Sequence, residues 1–294
     1  MARFIYLNGE YISANHAAIH PEDRGFLMGD AVYEVIACIH GHHADETGHL
    51  DRLERSLNEL HMPMPVERET LRFLMRELLR RNKQKNAAIY IQITRGVAKR
   101  DFKFPSPKTP QTLMMMTPDF DFDSNTGVLN GWRVKTVKDT RWKRRDIKTT
   151  LLLSQSLAKQ TAAMDGFDDS WMVDDEGFIT EASAANAYIV KDNKIITRPV
   201  TVDILKGTTR NAVGALCLKN HIKFEERKFT PQEAYDADEA FCTGATTQIT
   251  SVIEIDGHRI GDGTQGVVAK NIFQEYRAYV QGLRGQQVSW EAGL

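Results

Sequence analysis

The sequence predicts a mixed α and β protein of two lobes: a smaller N-terminal α/β domain over residues 1–118, an interdomain linker at 119–131, and a larger C-terminal α/β domain over 132–294. Three observations point this way. A chain of 294 residues exceeds what one minimal core needs and suits two domains of ordinary size. Apolar periodicity switches repeatedly between the period of two expected of strands and the period of 3.6 expected of helices. Between the lobes, "DFDFDSNTGVLNG" (Asp119 to Gly131) is acidic and glycine-bearing, the composition of an exposed connection.

The elements follow in order. Phe4 to Leu7 and Tyr11-Ile12 flank Asn8-Gly9, a strong short-range hairpin signal. "AVYEVIACI" (Ala31 to Ile39) is rich in β-branched residues and ends at His40-Gly41, so it reads as a strand closed by a turn. Leu50, Leu53, Leu57 and Leu60, then Leu71, Leu74 and Leu78, recur at helical spacing and predict two amphipathic helices packed on that sheet. "AAIYIQITRG" and "QTLMMMTP" return to strand character, with the proline-punctuated segment Pro105 to Pro110 as a loop between them. Beyond the linker, strands are expected at Trp132 to Val137, Ser170 to Val173, Ala187 to Val190 and Ala240 to Thr243. Helices are expected at Thr149 to Met164, Thr208 to Asn220 and Gln265 to Gln281. "TPQE" marks a further helix start, with Thr230 as N-cap, Pro231 at the first position and Glu233 completing a capping box.

Composition excludes some classes. Lys and Arg number 38 against 39 Asp and Glu, so no global charge gathers nucleic acid or anionic membrane. No apolar run approaches the roughly 20 residues of a membrane span, and the N-terminus lacks the apolar core of a signal peptide. Cys38, Cys217 and Cys242 are odd in number and sit in apolar segments, which suits free thiols in a reducing cytoplasm.

Local motifs carry the chemistry. The stretch Lys135 to Lys148, with seven basic residues against two aspartates and Trp142 interleaved, has the outline of a nucleic-acid patch, but in a neutral chain it reads first as a solvated edge, with Arg141 to Arg145 as a polar strand edge. His40, His42, His43 and His49 match no standard ligand spacing, and no metal is expected there. "ILKGTTR" puts Gly207 before a helix whose first turn holds Thr208 and Thr209, offering free N–H groups and hydroxyls to a phosphate. "FCTGATTQITSV" runs a strand into a second small, hydroxyl-rich loop at Gly244, Ala245, Thr246 and Thr247. Glu181 in "ITEASAAN" is a carboxylate among small residues, so it is either exposed or met by a positive group, for which a protonated cofactor ring nitrogen would serve. Lys148 stands where the basic run gives way to the apolar segment.

Taken together, "DRGFLMGDAVYEVI", "HLDRLERS", "RWKRRDIKTTLLLSQSLAKQ", "ITEASAAN", "ILKGTTR" and "TGATTQITSVIEIDG" resemble the fold-type IV pyridoxal-phosphate aminotransferases, most closely the D-amino-acid transaminase branch. The resemblance implies a two-domain fold whose larger lobe has a β-barrel-like core. It implies that Lys148 binds pyridoxal 5'-phosphate as a Schiff base and shuttles the substrate proton, and that Glu181 faces the pyridine nitrogen. Arg52, Thr208 and Thr209 match phosphate contacts, joined by backbone groups of Ala245 and Thr246; Ala245 replaces a residue that commonly bears a hydroxyl. Tyr33 and Arg100 match a trap for the substrate carboxylate, the arginine reaching over from the neighbouring subunit of a homodimer, with Thr246 and Thr247 also at the substrate. Phe102 stands where the family's trap has a histidine. The implied reaction exchanges an amino group between a D-amino acid such as D-alanine or D-glutamate and a 2-oxo acid such as 2-oxoglutarate or pyruvate. An (R)-amine or branched-chain L-amino-acid transaminase is the alternative within the fold; an aminodeoxychorismate lyase is disfavoured because Tyr33-Glu34-Val35 replaces its usual "FET".

Overall fold

The computed structural model describes residues 3–124 and 126–281; residues 1, 2, 125 and 282–294, which fall within the expected N-terminal domain, linker and C-terminal domain, lie outside the described residues. Two compact units are present, one of Met1–Phe122 with Ile147–Leu151, the other of Asp123–Asp146 with Leu152–Leu294. The strip carrying Lys148, placed on sequence in the C-terminal stretch, thus packs with the first unit.

The first unit contains β1 (Phe4–Leu7), β2 (Glu10–Ser13), α1 (Arg24–Met28), β3 (Ala31–Ile39), β4 (His42–His43), α2 (Glu46–Glu59), α3 (Arg68–Asn82), β5 (Ala87–Thr94) and β6 (Thr112–Met116). The strands form one antiparallel sheet in the order β2-β1-β6-β5-β3-β4. Asn8 and Gly9 both have positive φ, 48° and 102°, as the turn between β1 and β2 requires. Leu50, Leu53 and Leu57 of α2 and Leu71, Met75 and Leu78 of α3 are fully buried with Ile36, Ile89, Ile91 and Ile93 of the sheet. Each such side chain contributes about 1.5–3 kcal/mol by leaving water. Ile147 joins this core, which is why the strip beside it belongs to the first unit.

The second unit contains α4 (Thr126–Asn130), β7 (Trp132–Lys138), α5 (Leu153–Met164), β8 (Asp169–Val173), β9 (Ile179–Ala182), β10 (Asn186–Lys191), β11 (Lys194–Thr197), α6 (Thr208–Lys219), β12 (Lys223–Glu226), α7 (Pro231–Tyr235), β13 (Glu239–Gly244), β14 (Gln248–Ile255), β15 (His258–Arg259) and α8 (Val267–Val280). Its sheet runs β12-β11-β10-β13-β14-β7-β8-β9, with β15 on β14. The last strand returns against β10, so the sheet curls into a half-barrel. Thr230 and Glu233 form the expected capping box at α7.

Two element readings need correction. The stretch expected to be irregular between Asp119 and Gly131 contains the helix α4, and Phe122 and Val128 within that stretch are buried. The helix expected from Thr149 starts instead at Leu153, because residues 149–150 bond along β3 before the chain turns helical. The strands β9, β11, β12 and β14 were not among those expected, although β14 runs for eight residues.

Candidate active site

Lys148 sits on a strip that extends β3 by backbone pairing. Its carbonyl accepts from Tyr33 N at 3.0 Å, Thr150 N donates to Ala31 O at 3.2 Å, and Thr149 forms a bridge with Val32. Lys148 N donates to Ser56 Oγ of α2 at 3.3 Å. The side chain is thereby led over the ring of Tyr33, with Nζ 4.2 Å from the centroid, a cation–π geometry. Tyr33 stacks in turn on Tyr90 at 5.5 Å between centroids, and Tyr90 donates to Gln92 Oε1 at 2.7 Å. Burial, with Tyr33 adding to it, pushes the Tyr90 phenol up to about 12, so it stays protonated at neutral pH.

Successive strand residues face opposite ways, so Glu34 turns from Tyr33 toward α2. It is 0% exposed. Arg52 Nε donates to its Oε1 at 2.6 Å and Nη2 to its Oε2 at 2.8 Å, while His49 Nδ1 lies 2.7 Å from Oε2. Burial alone would raise the Glu34 pKa; the Arg52 charge and hydrogen bonds, with His49, outweigh it and hold the carboxyl far below its ordinary range. Arg52, the expected phosphate contact, is therefore aimed by a buried carboxylate that the motif did not flag.

Arg100 and Phe102 sit together on an exposed loop, the guanidinium carbon 5.8 Å from the ring centroid and Phe102 82% exposed. Arg24, which is buried and bonded to Asp30 at 2.8 Å, holds that loop by donating to Asp101 O at 2.7 Å.

In the second unit Glu181 is buried on β9. Its Oε1 accepts from Leu205 N at 2.6 Å and from Arg141 Nη1 at 3.3 Å. Desolvation raises its pKa; Arg141 and the Leu205 amide pull the other way without cancelling the rise. The basic run is thus a solvated edge only in part. Arg141 is buried between Glu181 and Asp139, and Arg145 lies 3.3 Å from Asp139, while Trp142 and Lys143 face solvent. Arg141 is the partner of Glu181 that sequence reasoning missed. The available signal was the requirement that a buried Glu181 be met by a cation, with five residues of mostly basic sequence at hand to supply one.

Two loops meet the start of β10. Gly207 is the N-cap of α6, and a Cβ there would meet Asn186 Oδ1 at 2.1 Å, while Asn186 Nδ2 donates to Leu205 O at 2.9 Å. Thr208 and Thr209 in the first turn are buried, and Thr209 Oγ1 has no hydrogen-bond partner among the described residues. At the second loop, a Cβ on Gly244 would meet Thr247 Oγ1 at 2.6 Å and Ala184 O at 3.3 Å. Thr247 Oγ1 is likewise buried without a partner among the described residues, beside Ala245 and Thr246, which are partly buried. Orphaned hydroxyls at a helix N-terminus and at a nearby turn, in backbone too close for side chains, form a cradle suited to an anion.

The family model for amino-transferase class IV matches residues 31–255. A D-alanine aminotransferase of Staphylococcus haemolyticus is 35% identical over 278 residues, covering 94% of this chain and 98% of its own. That of Bacillus licheniformis is 34% identical over 268 residues, covering 91% and 94%. Among solved structures, a branched-chain amino acid aminotransferase of Escherichia coli superposes with a TM-score of 0.92 at 25% identity, covering 99% of this chain and 98% of that one. A branched-chain amino acid aminotransferase of T.th., solved with pyridoxamine 5'-phosphate, gives 0.92 at 26% identity over the same shares.

Proposed function

Because the chain belongs to the class IV aminotransferases, which use pyridoxal phosphate, we propose that it moves the amino group of a D-amino acid such as D-alanine or D-glutamate to a 2-oxo acid. The observation that carries the choice of substrate is the 35% identity to D-alanine aminotransferases over nearly the full length of both chains.

The residues present fit the cofactor. The orphaned Thr209 and Thr247 hydroxyls, one in the first turn of α6 and one at the second loop, offer donors to a phosphate, and Ala245 and Thr246 stand beside them. Arg52 would supply the charge, fixed by Glu34. Glu181, a buried carboxylate, suits a protonated pyridine nitrogen. When bound, the cofactor supplies an electron sink that acidifies the substrate's α-carbon. Lys148 Nζ would bond the cofactor between turnovers, take the proton from that carbon and return it as the reaction requires. Tyr33, over which Nζ rests, would limit the amine's travel and, with Arg100, Thr246 and Thr247, receive the substrate. Phe102 in place of a histidine removes one donor to the substrate carboxylate.

Among the described residues no helix is long and apolar enough to cross a membrane. We infer a homodimer in the cytoplasm. Leu153 and Leu157, 74% and 58% exposed one turn apart on α5, offer an apolar stripe for a second copy. Three buried free thiols suit a reducing compartment.

The test is the absorbance of the cofactor-loaded protein as D-alanine, D-glutamate, L-leucine or (R)-1-phenylethylamine is added separately. D-alanine and D-glutamate should bleach the visible band. A response to L-leucine alone would replace this reading by the branched-chain one, to which the solved relatives also point. A response to the amine alone would assign the chain to amine transamination.

A further inference from the structure

The charges around Glu181 form an alternating series inside the second unit. Glu181 meets Arg141 at 3.3 Å, Arg141 meets Asp139 at 2.8 Å, Arg145 lies 3.3 Å from Asp139 and 3.6 Å from Asp203, and Arg198 joins Asp203 at 2.9 Å to Asp174 at 2.7 Å. The pairs nearest Glu181 are buried while Asp203 is partly exposed, and buried ion pairs cost desolvation and are weak evidence of stability in themselves. Its geometry at Glu181 has a more specific consequence.

Arg141 uses one edge of its guanidinium, Nε and Nη2, to grip both oxygens of Asp139 at 3.1 and 2.8 Å. Thr180 Oγ1 also holds Asp139, donating to Oδ2 at 2.7 Å. The plane of the guanidinium is thereby set, and Nη1 is left to point at Glu181 Oε1. Leu205 N donates to the same oxygen at 2.6 Å. Both donors take Oε1, and neither takes Oε2. A lysine could not do both tasks, since it lacks a planar fork.

We propose that Arg141 is the positioning residue for Glu181: it sets its positive charge against the carboxylate at Oε1, so that Oε2 is presented as the acceptor for a protonated ring nitrogen. The purpose of that acceptor rests on the role given to Glu181 above; the control by Arg141 does not. The charged groups facing Glu181 are Arg141 and, behind it, Asp139, with the Leu205 amide as the neutral donor, and burial opposes ionisation throughout. Without Arg141 nothing in this set but one amide would offset burial and the Asp139 charge.

The experiment follows the Glu181 carboxyl by NMR in cofactor-free protein made with isotope-labelled glutamate, its signal assigned by its loss in Glu181→Gln. In Arg141→Met the titration midpoint should rise by about one pH unit or more, the scale of a lost adjacent opposite charge. In Arg141→Lys, which restores the charge without the fork, the midpoint should lie between the two. A midpoint in Arg141→Met within about 0.3 units of the unaltered protein, far below that scale, overturns the proposal. If Arg141→Met fails to fold, Arg141→Lys decides: a raised midpoint supports the proposal and an unmoved one overturns it. The role of Glu181 is judged separately from the visible spectrum of bound pyridoxal phosphate in Glu181→Gln. An unchanged spectrum removes the ring-nitrogen assignment and leaves the midpoint result standing.

Discussion

Replacing Glu34 by glutamine isolates the energetics that aim Arg52. The carboxylate is 0% exposed and receives two guanidinium N–H groups at 2.6 and 2.8 Å, with His49 Nδ1 at 2.7 Å. Glutamine keeps the shape, but it presents one oxygen and an NH2 where two acceptors are needed, and it removes the charge that offsets the largely buried Arg52. Breaking a buried pair in this way costs about 3–5 kcal/mol, several times the worth of an exposed pair. An exposed pair such as Arg55 and Glu59, 3.9 Å apart on α2, should lose no more than about 1 kcal/mol when Arg55 becomes alanine. Urea titration of cofactor-free protein followed by circular dichroism gives both values, and the melting temperature of Glu34→Gln should fall by roughly 10 °C. The pH dependence has a definite sign. The folded pKa of Glu34 lies below its ordinary value of 4.5, so the stabilisation is fully present above that pH and is lost as pH falls toward the folded value. Glu34→Gln should therefore also weaken the acid limb of the stability profile. A loss below about 1 kcal/mol, or an acid limb identical to that of the unaltered protein, would refute the reasoning.

Two further outcomes follow from packing. Gly207→Ala forces a methyl group to 2.1 Å from Asn186 Oδ1, which should cost about 1–3 kcal/mol of stability and weaken pyridoxal phosphate binding about tenfold by equilibrium dialysis; unaltered affinity would show that this loop does not hold the phosphate. Burial pushes the Cys38 thiol up to about 11, the Cys217 thiol up to about 12, and Cys242 higher still. Native protein at pH 8 should therefore resist Ellman's reagent, and all three thiols should react once guanidinium unfolds it; rapid native reaction would contradict their burial.

Much of this molecule is legible in its sequence where the signal is local. Asn8-Gly9, the leucine spacings of α2 and α3, and the capping box at Thr230 each specify their element through neighbours a few residues away. The Gly207 and Gly244 loops read as anion-ready from local sequence too, and the structure adds the orphaned hydroxyls of Thr209 and Thr247. What was hidden depends on partners far along the chain. Arg141 reads as one cation in a run, and only the return of β9 brings Glu181, forty residues later, against it. Thr149 and Thr150 carry apolar neighbours that mimic a helix start, but β3 takes up their backbone before a helix can. Glu34 reads as the odd polar residue in an apolar strand; its meaning comes from Arg52 and His49 of the following helix.

The central claim is that Lys148, and no other lysine, bonds the cofactor. Protein loaded with pyridoxal phosphate should be reduced with borohydride, digested and mapped by mass spectrometry, alongside Lys148→Ala treated in the same way. A stoichiometric pyridoxyl increment on the peptide containing Lys148, absent from the variant, is the result predicted here. A stoichiometric increment on Lys143, Lys159 or Lys206 instead, or equal labelling of the variant, would contradict it.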